Sequence, residues 1–351
     1  RTGERTDRLG GQDAFEAERA AITKRNADNP PIAAILRCIA GCFDRPFEAG
    51  LELEAEESAK LHADPRAKAM QHVFFAERAA ARVPGVAKDT ALRPIRRAAV
   101  IGAGTMGGGI AMCFANAGIP VTVIEMAPEP LDRGLGRVAG NYDTSVKRGS
   151  TSQADRDARM GRIEGRVGLE AAAEADVIVE AVFEEMPVKK EIFAALDRIA
   201  RPGAILATNT SYLNVDEIAA ATSRPADVLG MHFFSPANVM KLLEVVRGAR
   251  TAPDALATAM DLGRRLGKVS VVSGVCHGFI GNRMLSRRTQ QAERLLMEGA
   301  LPEQVDRALT AFGFRMGPFA MGDLAGLDIG WRMALCGAGF GLFQAPNNRT
   351  I

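Results

Sequence analysis

The stretch Arg97–Glu125, RAAVIGAGTMGGGIAMCFANAGIPVTVIE, decides the fold. It opens on an apolar run, Ala98 to Ile101, that reads as a buried strand. The turn Gly102-Ala103-Gly104-Thr105-Met106-Gly107 follows, with glycines in a G-x-G-x-x-G pattern. A helix rich in Ala and Ile then stops at Ala117-Gly118, where Gly suits a C-terminal cap. A second strand, Val121 to Ile124, ends on the acid Glu125. Gly102 makes the tight turn, Gly104 lets backbone approach a pyrophosphate, and Gly107 lets helix pack on strand. A glycine-rich turn alone is weak evidence; strand, turn, helix, strand and terminal acid in order make a dinucleotide site.

Glu125 lies 23 residues after Gly102, near the ~20-residue offset of an acid that binds ribose hydroxyls. A carboxylate there repels a 2′-phosphate, and no Arg follows in Met126-Ala127-Pro128, so the expected cofactor is NAD. The expected contacts are Gly102, Gly104, Thr105, Met106, Gly107 and Glu125. The helix N-terminus offers the phosphates N–H groups and a positive dipole end.

The 351 residues, with 47% apolar content, suit a globular chain of two domains. A net charge of +2 gives no broad basic field, so nucleic acid is not an implied partner. Five cysteines, Cys38, Cys42, Cys113, Cys276 and Cys336, lack zinc-site spacing, and reduced thiols in a cytosol-like compartment fit them better than a metal. The chain begins at Arg1 without Met or signal peptide and reads as a fragment.

Residues 1–30 are polar and read as linker or fraying helix, and Ile32 to about Ala81 is helical, with Asp64-Pro65 starting one helix. His62 and His72 read as surface or packing residues. Pro84 to Pro94 reads as a linker. Beyond Glu125, helices are expected over Pro130–Gly149, Ala154–Ile163, Val188–Ala200, from the Asn214 cap to Ala221, and over Pro253–Leu266. Strands are expected at Val177–Val182, Ala204–Ala207, Val228–Phe234, Leu242–Val246 and Val269–Val272. This alternation predicts a Rossmann-type, doubly wound α/β domain over 97–274. From 275 the pattern is helical only: Phe279–Met297, Pro302–Phe312, then a short piece after Met316-Gly317-Pro318-Phe319.

Binding a dinucleotide does not say what is oxidised. The candidate acid/base is His232, in GMHFFSP, because its unperturbed pKa lies near working pH. A histidine in an apolar strand is commonly a satisfied core residue. Glu244, 12 residues on in LLEVV, shifts that balance: an acid inside an apolar strand needs a partner, and neighbouring strands would supply His232. An unrelated pair facing solvent is the other reading. Ser211 follows a strand end, where ligands gather; it either donates to a substrate oxygen or stabilises its turn. Asn282 opens the long helix and either holds a substrate carbonyl or caps that helix. His277 reads as packing at the domain junction.

At these residues the sequence resembles the 3-hydroxyacyl-CoA dehydrogenase family, through GAGTMGGGIA, VIVEAVFE, ATNTSYL, GMHFFSPANVMKLLEVV, GFIGNRML and GFRMGPF, from about Arg97 to Met333. The resemblance implies His232 as general base with Glu244 orienting it, and Ser211 and Asn282 holding substrate oxygens. It also implies Glu184 and Lys189 near the nicotinamide and its ribose, with Asn209 on the cofactor-facing loop. The implied reaction oxidises (S)-3-hydroxyacyl-CoA to 3-oxoacyl-CoA with hydride passing to NAD, within fatty-acid β-oxidation. An acyl-CoA is thus the implied partner, with a homodimer or a larger β-oxidation complex possible, and the implied location is cytoplasmic, or peroxisomal in a eukaryote.

Residues from about Pro31 to Pro84, with FEAGLELEAEE and HVFFAERAAARVPG, resemble the linker region of multifunctional fatty-acid oxidation proteins, and Ser235 fits that branch. The expected organisation is a helical linker region at 1–96, the NAD-binding domain at 97–274, a partial helical domain at 275–333 and an atypical tail at 334–351. A hydratase core would precede Arg1, so no hydratase activity is expected of this chain. The tail ALCGAGFGLFQAPNNRTI resembles a glycine-rich segment of major-facilitator transporters and is expected to be foreign to the rest. Its uncharged run, Met333 to Phe343, falls short of the ~20 residues that span a bilayer. The alternative function is an NAD-binding fragment impaired in turnover because its helical domain is incomplete; another is a dehydrogenase of free 3-hydroxy acids.

Overall fold

The computed structural model describes residues 11–325 apart from Pro84 and Lys88. Trp331, Cys336 and the expected tail from 334 lie outside the described residues. The chain divides between Arg82 and Val83 into two compact units.

The first unit is helical: α1 (Gln12–Arg25), α2 (Pro30–Asp44), α3 (Phe47–Ala63) and α4 (Pro65–Ala80). Pro30 does not break a helix but starts one, because its missing N–H is unneeded in a first turn. The Asn29 side chain accepts from the Ile32 N–H, and Asp64 accepts from that of Arg66, so both helices are capped as they begin. Cys42 Sγ donates to the Cys38 carbonyl at 3.6 Å, and both thiols are free. His62 and His72 are exposed.

The second unit is organised by eight strands: β1 (Ala98–Ile101), β2 (Val121–Glu125), β3 (Ile163–Val167), β4 (Val177–Glu180), β5 (Ile205–Thr208), β6 (Val228–Phe233), β7 (Leu242–Arg247) and β8 (Val269–Gly274). They form one sheet in the order β3-β2-β1-β4-β5-β6-β7-β8. All pairs are parallel except β6 with β7. Helices α5 (Thr105–Asn116), α6 (Pro128–Lys147), α7 (Gln153–Met160), α8 (Met186–Ile199), α9 (Val215–Ala219) and α10 (Pro253–Arg265) connect them. Strands β1, β4 and β5 are buried along their whole length, as expected of a parallel sheet covered on both faces. Two apolar clusters fill the two faces, one around Val100, Ile110 and Leu243, the other around Ile101, Phe193 and Leu206.

Strand β3 is not expected from the sequence; its IEGRV is polar and half exposed because it is the sheet edge. Three helices follow the sheet: α11 (Gly281–Met297), α12 (Pro302–Phe312) and α13 (Pro318–Ala325). Asp306 of α12 accepts from the Phe319 and Ala320 N–H groups, tying α13 to it. Among the described residues no helix is long and apolar enough to cross a membrane.

Candidate active site

The parallel register lines up the C-terminal ends of four strands on one edge. Ile101 pairs with Glu180, Glu180 with Thr208, and Thr208 with Gly230. The turn after β1, the Ala181–Glu185 segment after β4, the Asn209–Tyr212 loop after β5 and His232 near the end of β6 therefore share that edge. The strand order reverses direction at β1 and β4, the topological switch point where open α/β sheets bind ligands.

The glycine turn fits a dinucleotide. Gly102 has φ +100°, and a Cβ there would meet the Ala181 carbonyl oxygen at 2.7 Å. A Cβ on Gly107 would sit 1.8 Å from the Gly102 carbonyl oxygen, so helix α5 packs on the turn only because that position has no side chain. Gly104, the N-cap of α5, faces open space and brings no capping side chain. The N–H groups of the first turn, including Thr105 and Met106, are thus aimed where a pyrophosphate fits. Glu125 Oε1 accepts the Ala103 N–H at 2.7 Å, which fixes the acid beside the turn.

His232 and Glu244 are directly opposite each other in the antiparallel β6–β7 pair. His232 Nδ1 lies 2.7 Å from Glu244 Oε2, with the side chains 4% and 0% exposed. The solvent-facing alternative is thereby excluded. Glu244 Oε1 accepts the N–H groups of Ile280 and Gly281, at 3.0 and 2.6 Å, so one carboxylate holds both the imidazole and the start of α11. Phe234 and Phe279 flank the imidazole, with ring centroids at 4.6 and 5.6 Å. Phe279 reaches that position with φ +47°, a left-handed conformation rare for a bulky residue.

Ser211 lies on the β5 loop, and its backbone N–H donates to Glu184 Oε1 at 2.7 Å. Asn209 Oδ1 accepts the Phe233 N–H at 2.8 Å, so its side chain braces β6 beside His232. Glu184 Oε1 also accepts from Thr210 Oγ1 and the Tyr212 N–H. Lys189, in the first turns of α8, is 1% exposed; its ammonium is 2.7 Å from Glu180 Oε1 and 3.5 Å from Glu184 Oε2. Lys189 thus lies behind Glu184, a buried counter-ion rather than an exposed cation. Asn282 is the second residue of α11, directly after the N–H groups that Glu244 holds. The rings of Tyr212 and His277 pack at 5.0 Å, consistent with His277 as a packing residue.

Sequence reasoning missed Glu180. It is wholly buried at the end of β4 and accepts from Lys189, the Val182 N–H and Thr208 Oγ1. The signal was present, since Glu180 ends the apolar run VIVE much as Glu244 interrupts LLEVV. The Phe279 backbone and the Ile280 and Gly281 donors carry no comparable mark in sequence.

A glycine turn at the switch point and a buried His–Glu pair on the same sheet edge define a dinucleotide-dependent dehydrogenase. Family models for the 3-hydroxyacyl-CoA dehydrogenase NAD binding domain and C-terminal domain match residues 97–276 and 278–346. The peroxisomal bifunctional enzyme of Danio rerio is 45% identical over 324 residues, 91% of this chain and 44% of that protein. The fatty acid oxidation complex subunit alpha of Shewanella amazonensis is 35% identical over 320 residues, 91% of this chain and 45% of that protein. The crystal structure of (S)-3-hydroxybutyryl-CoA dehydrogenase PaaH1 from Ralstonia eutropha matches with a TM-score of 0.68 at 32% identity, covering 73% of this chain and 90% of that one. The chain belongs to the 3-hydroxyacyl-CoA dehydrogenase family, and its cofactor is NAD. It spans under half the length of the curated relatives just named.

Proposed function

We propose that this chain oxidises (S)-3-hydroxyacyl-CoA thioesters to 3-oxoacyl-CoA as the dehydrogenase step of fatty-acid β-oxidation. The carrying observation is the buried His232–Glu244 pair on the sheet edge that also bears the glycine turn. With Nδ1–H given to the carboxylate, His232 Nε2 keeps its lone pair and takes the proton of the substrate hydroxyl. Glu244 stabilises the imidazolium that results. Bound NAD supplies the hydride acceptor at its nicotinamide. Ser211 and Asn282 bind the oxygens of the substrate, and the β5 loop and the start of α11 that carry them are each fixed by a carboxylate.

On the cofactor side, Gly102, Gly104, Thr105, Met106 and Gly107 cradle the pyrophosphate. Glu125 takes the adenosine ribose, and Asn209 and Glu184 border the nicotinamide half. The compartment is a peroxisome in a eukaryotic source, as the name of the Danio rerio relative supports.

The test is reduction of acetoacetyl-CoA with NADH, followed by loss of NADH absorbance, with NADH binding measured on the same preparation. The expected result is turnover by the wild type and its loss by a factor of about 10²–10⁴ in His232→Ala, with NADH binding kept. NADH binding without wild-type turnover would select the impaired fragment instead. Equal turnover of free acetoacetate would select a free-acid dehydrogenase.

A further inference from the structure

Two consecutive peptides of the glycine turn are each held by a charged side chain. Glu125 Oε1 accepts the Ala103 N–H at 2.7 Å, which fixes the Gly102–Ala103 peptide. Arg137, on α6, donates from its guanidinium to the Ala103 carbonyl at 2.8 Å, which fixes the next peptide, Ala103–Gly104. The packing of α6 prepares this contact. A Cβ on Gly134 would lie 2.4 Å from both the Cβ and the carbonyl oxygen of Ala103, so helix and turn meet backbone to backbone. Arg137 follows Gly134 by nearly one helical turn, on the same side of α6, and so reaches the same carbonyl. Arg133 of that helix pairs with Glu129, as a solvated arginine does. Arg137 pairs with no carboxylate among the described residues, and its hydrogen bond goes to the turn instead.

Peptide geometry gives the contact its consequence. In a trans peptide the C=O and the N–H that follows it lie in one plane and point in opposite directions. Ala103 is 1% exposed, so its carbonyl needs a donor from the protein. The donor on one side of the plane then sets the direction of the Gly104 N–H on the other. No described residue accepts from that N–H.

We propose that Arg137 is a positioning residue for NAD: by holding the Ala103 carbonyl it keeps the Ala103–Gly104 peptide in the plane that aims the Gly104 N–H at the pyrophosphate of the cofactor. This rests on the pyrophosphate role proposed for the glycine turn. Glu125 orients the peptide before Ala103 and Arg137 the peptide after it, so the turn is set before the cofactor arrives.

Arg137→Met keeps the aliphatic stem and removes the donors; Arg137→Lys keeps a charged donor. Arg137 is exposed, so neither change opens the core. NADH affinity of the full chain is measured by fluorescence titration, and the affinities of ADP-ribose and adenosine by their displacement of NADH. NADH and ADP-ribose are each expected to bind about tenfold more weakly to Arg137→Met, the loss of one hydrogen bond from a charged group. Arg137→Lys is expected to bring both back to within about threefold of wild type. Adenosine has no pyrophosphate, and its affinity is expected to stay within about twofold throughout. Unchanged NADH affinity in Arg137→Met overturns the proposal, as does a loss that adenosine shares in full or that Arg137→Lys does not relieve. A wild type that fails to bind NADH, or from which ADP-ribose does not displace it, overturns the cofactor site itself, so the two failures are distinguishable.

Discussion

Two buried carboxylates sit on the same sheet edge, and the cation each one faces separates their uses. Glu180 ends β4 opposite Lys189; Glu244 lies in β7 opposite His232. Both acids are wholly inaccessible and both accept three hydrogen bonds. The Lys189 ammonium is 2.7 Å from Glu180 with both side chains enclosed, so that pair serves as a clamp. Imidazole can both take and give a proton, so the Glu244 pair suits the general-base role proposed for His232. The His232–Glu244 pair is also built from the one antiparallel pairing among the described strands, which puts its two residues in direct register. The clamp instead joins a strand end to the first turns of the following helix, α8.

Neutralising each acid alone separates the two uses. All three donors on Glu244 are N–H groups if the imidazole gives it Nδ1–H, and two of them are backbone groups that cannot turn away. Glu244→Gln must therefore aim its amide NH2 at another N–H, on one oxygen's side or the other. Its expected effect is the largest: a loss of about 10²–10⁴ in kcat/KM for acetoacetyl-CoA, with a clear fall in Tm from the loosened start of α11. A Glu244→Gln protein that keeps both wild-type turnover and wild-type Tm would remove the carboxylate from the centre of the site.

Next in size is Lys189→Met, which leaves Glu180 buried without its counter-charge. Breaking a buried pair in this way costs about 3–5 kcal/mol, readable by urea unfolding. Glu180→Gln is expected to cost less, about 1–2 kcal/mol, because the Thr208 hydroxyl can rotate to accept from the new amide. The double variant Glu180→Gln/Lys189→Met is expected to recover part of the Lys189→Met loss. If the two single changes simply add, the residues are not coupled and the clamp reading fails.

How much of the molecule was legible in sequence follows the same division. The glycine turn, the strand ends and the His232–Glu244 spacing carry local marks: glycines at fixed offsets, an acid in an apolar strand, two strands short enough to be neighbours. Seven of the eight strands could be read for that reason, and β3 could not, since an edge strand such as IEGRV has no apolar run to betray it. Lys189 shows the other limit. In MPVKKEIF the family resemblance singles out Lys189, but neither spacing nor composition marks it as buried beside the solvated Lys190, because only the fold aims one toward Glu180 and the other toward Glu217 at the surface. The hold of Glu244 on the Ile280 and Gly281 N–H groups is equally invisible, since backbone donors have no sequence signature.

A third group of charges, on the opposite edge of the sheet, tests whether burial rather than pairing sets the scale. Arg93, just ahead of β1, donates to Asp227 at 2.6 Å and to Asp254 at 2.8 Å, and its backbone N–H reaches Thr258 Oγ1. Asp254 is 42% exposed, so water already screens its pair. The hydrogen bond from Arg93 holds the Asp254 carboxyl below its ordinary pKa of 3.8. A depressed carboxylate contributes stability above its unfolded pKa and loses it as pH falls through the lower folded value. Asp254→Asn is therefore expected to have the smallest effect, at most about 1 kcal/mol near neutral pH. The difference from wild type shrinks as the solution is taken below the ordinary carboxylate range, and unfolding at several pH values measures it. A loss at neutral pH matching that of Lys189→Met would mean that pairing alone sets the cost, wet or dry. A difference that grew on acidification would reverse the expected sign and free Asp254 from its dependence on Arg93.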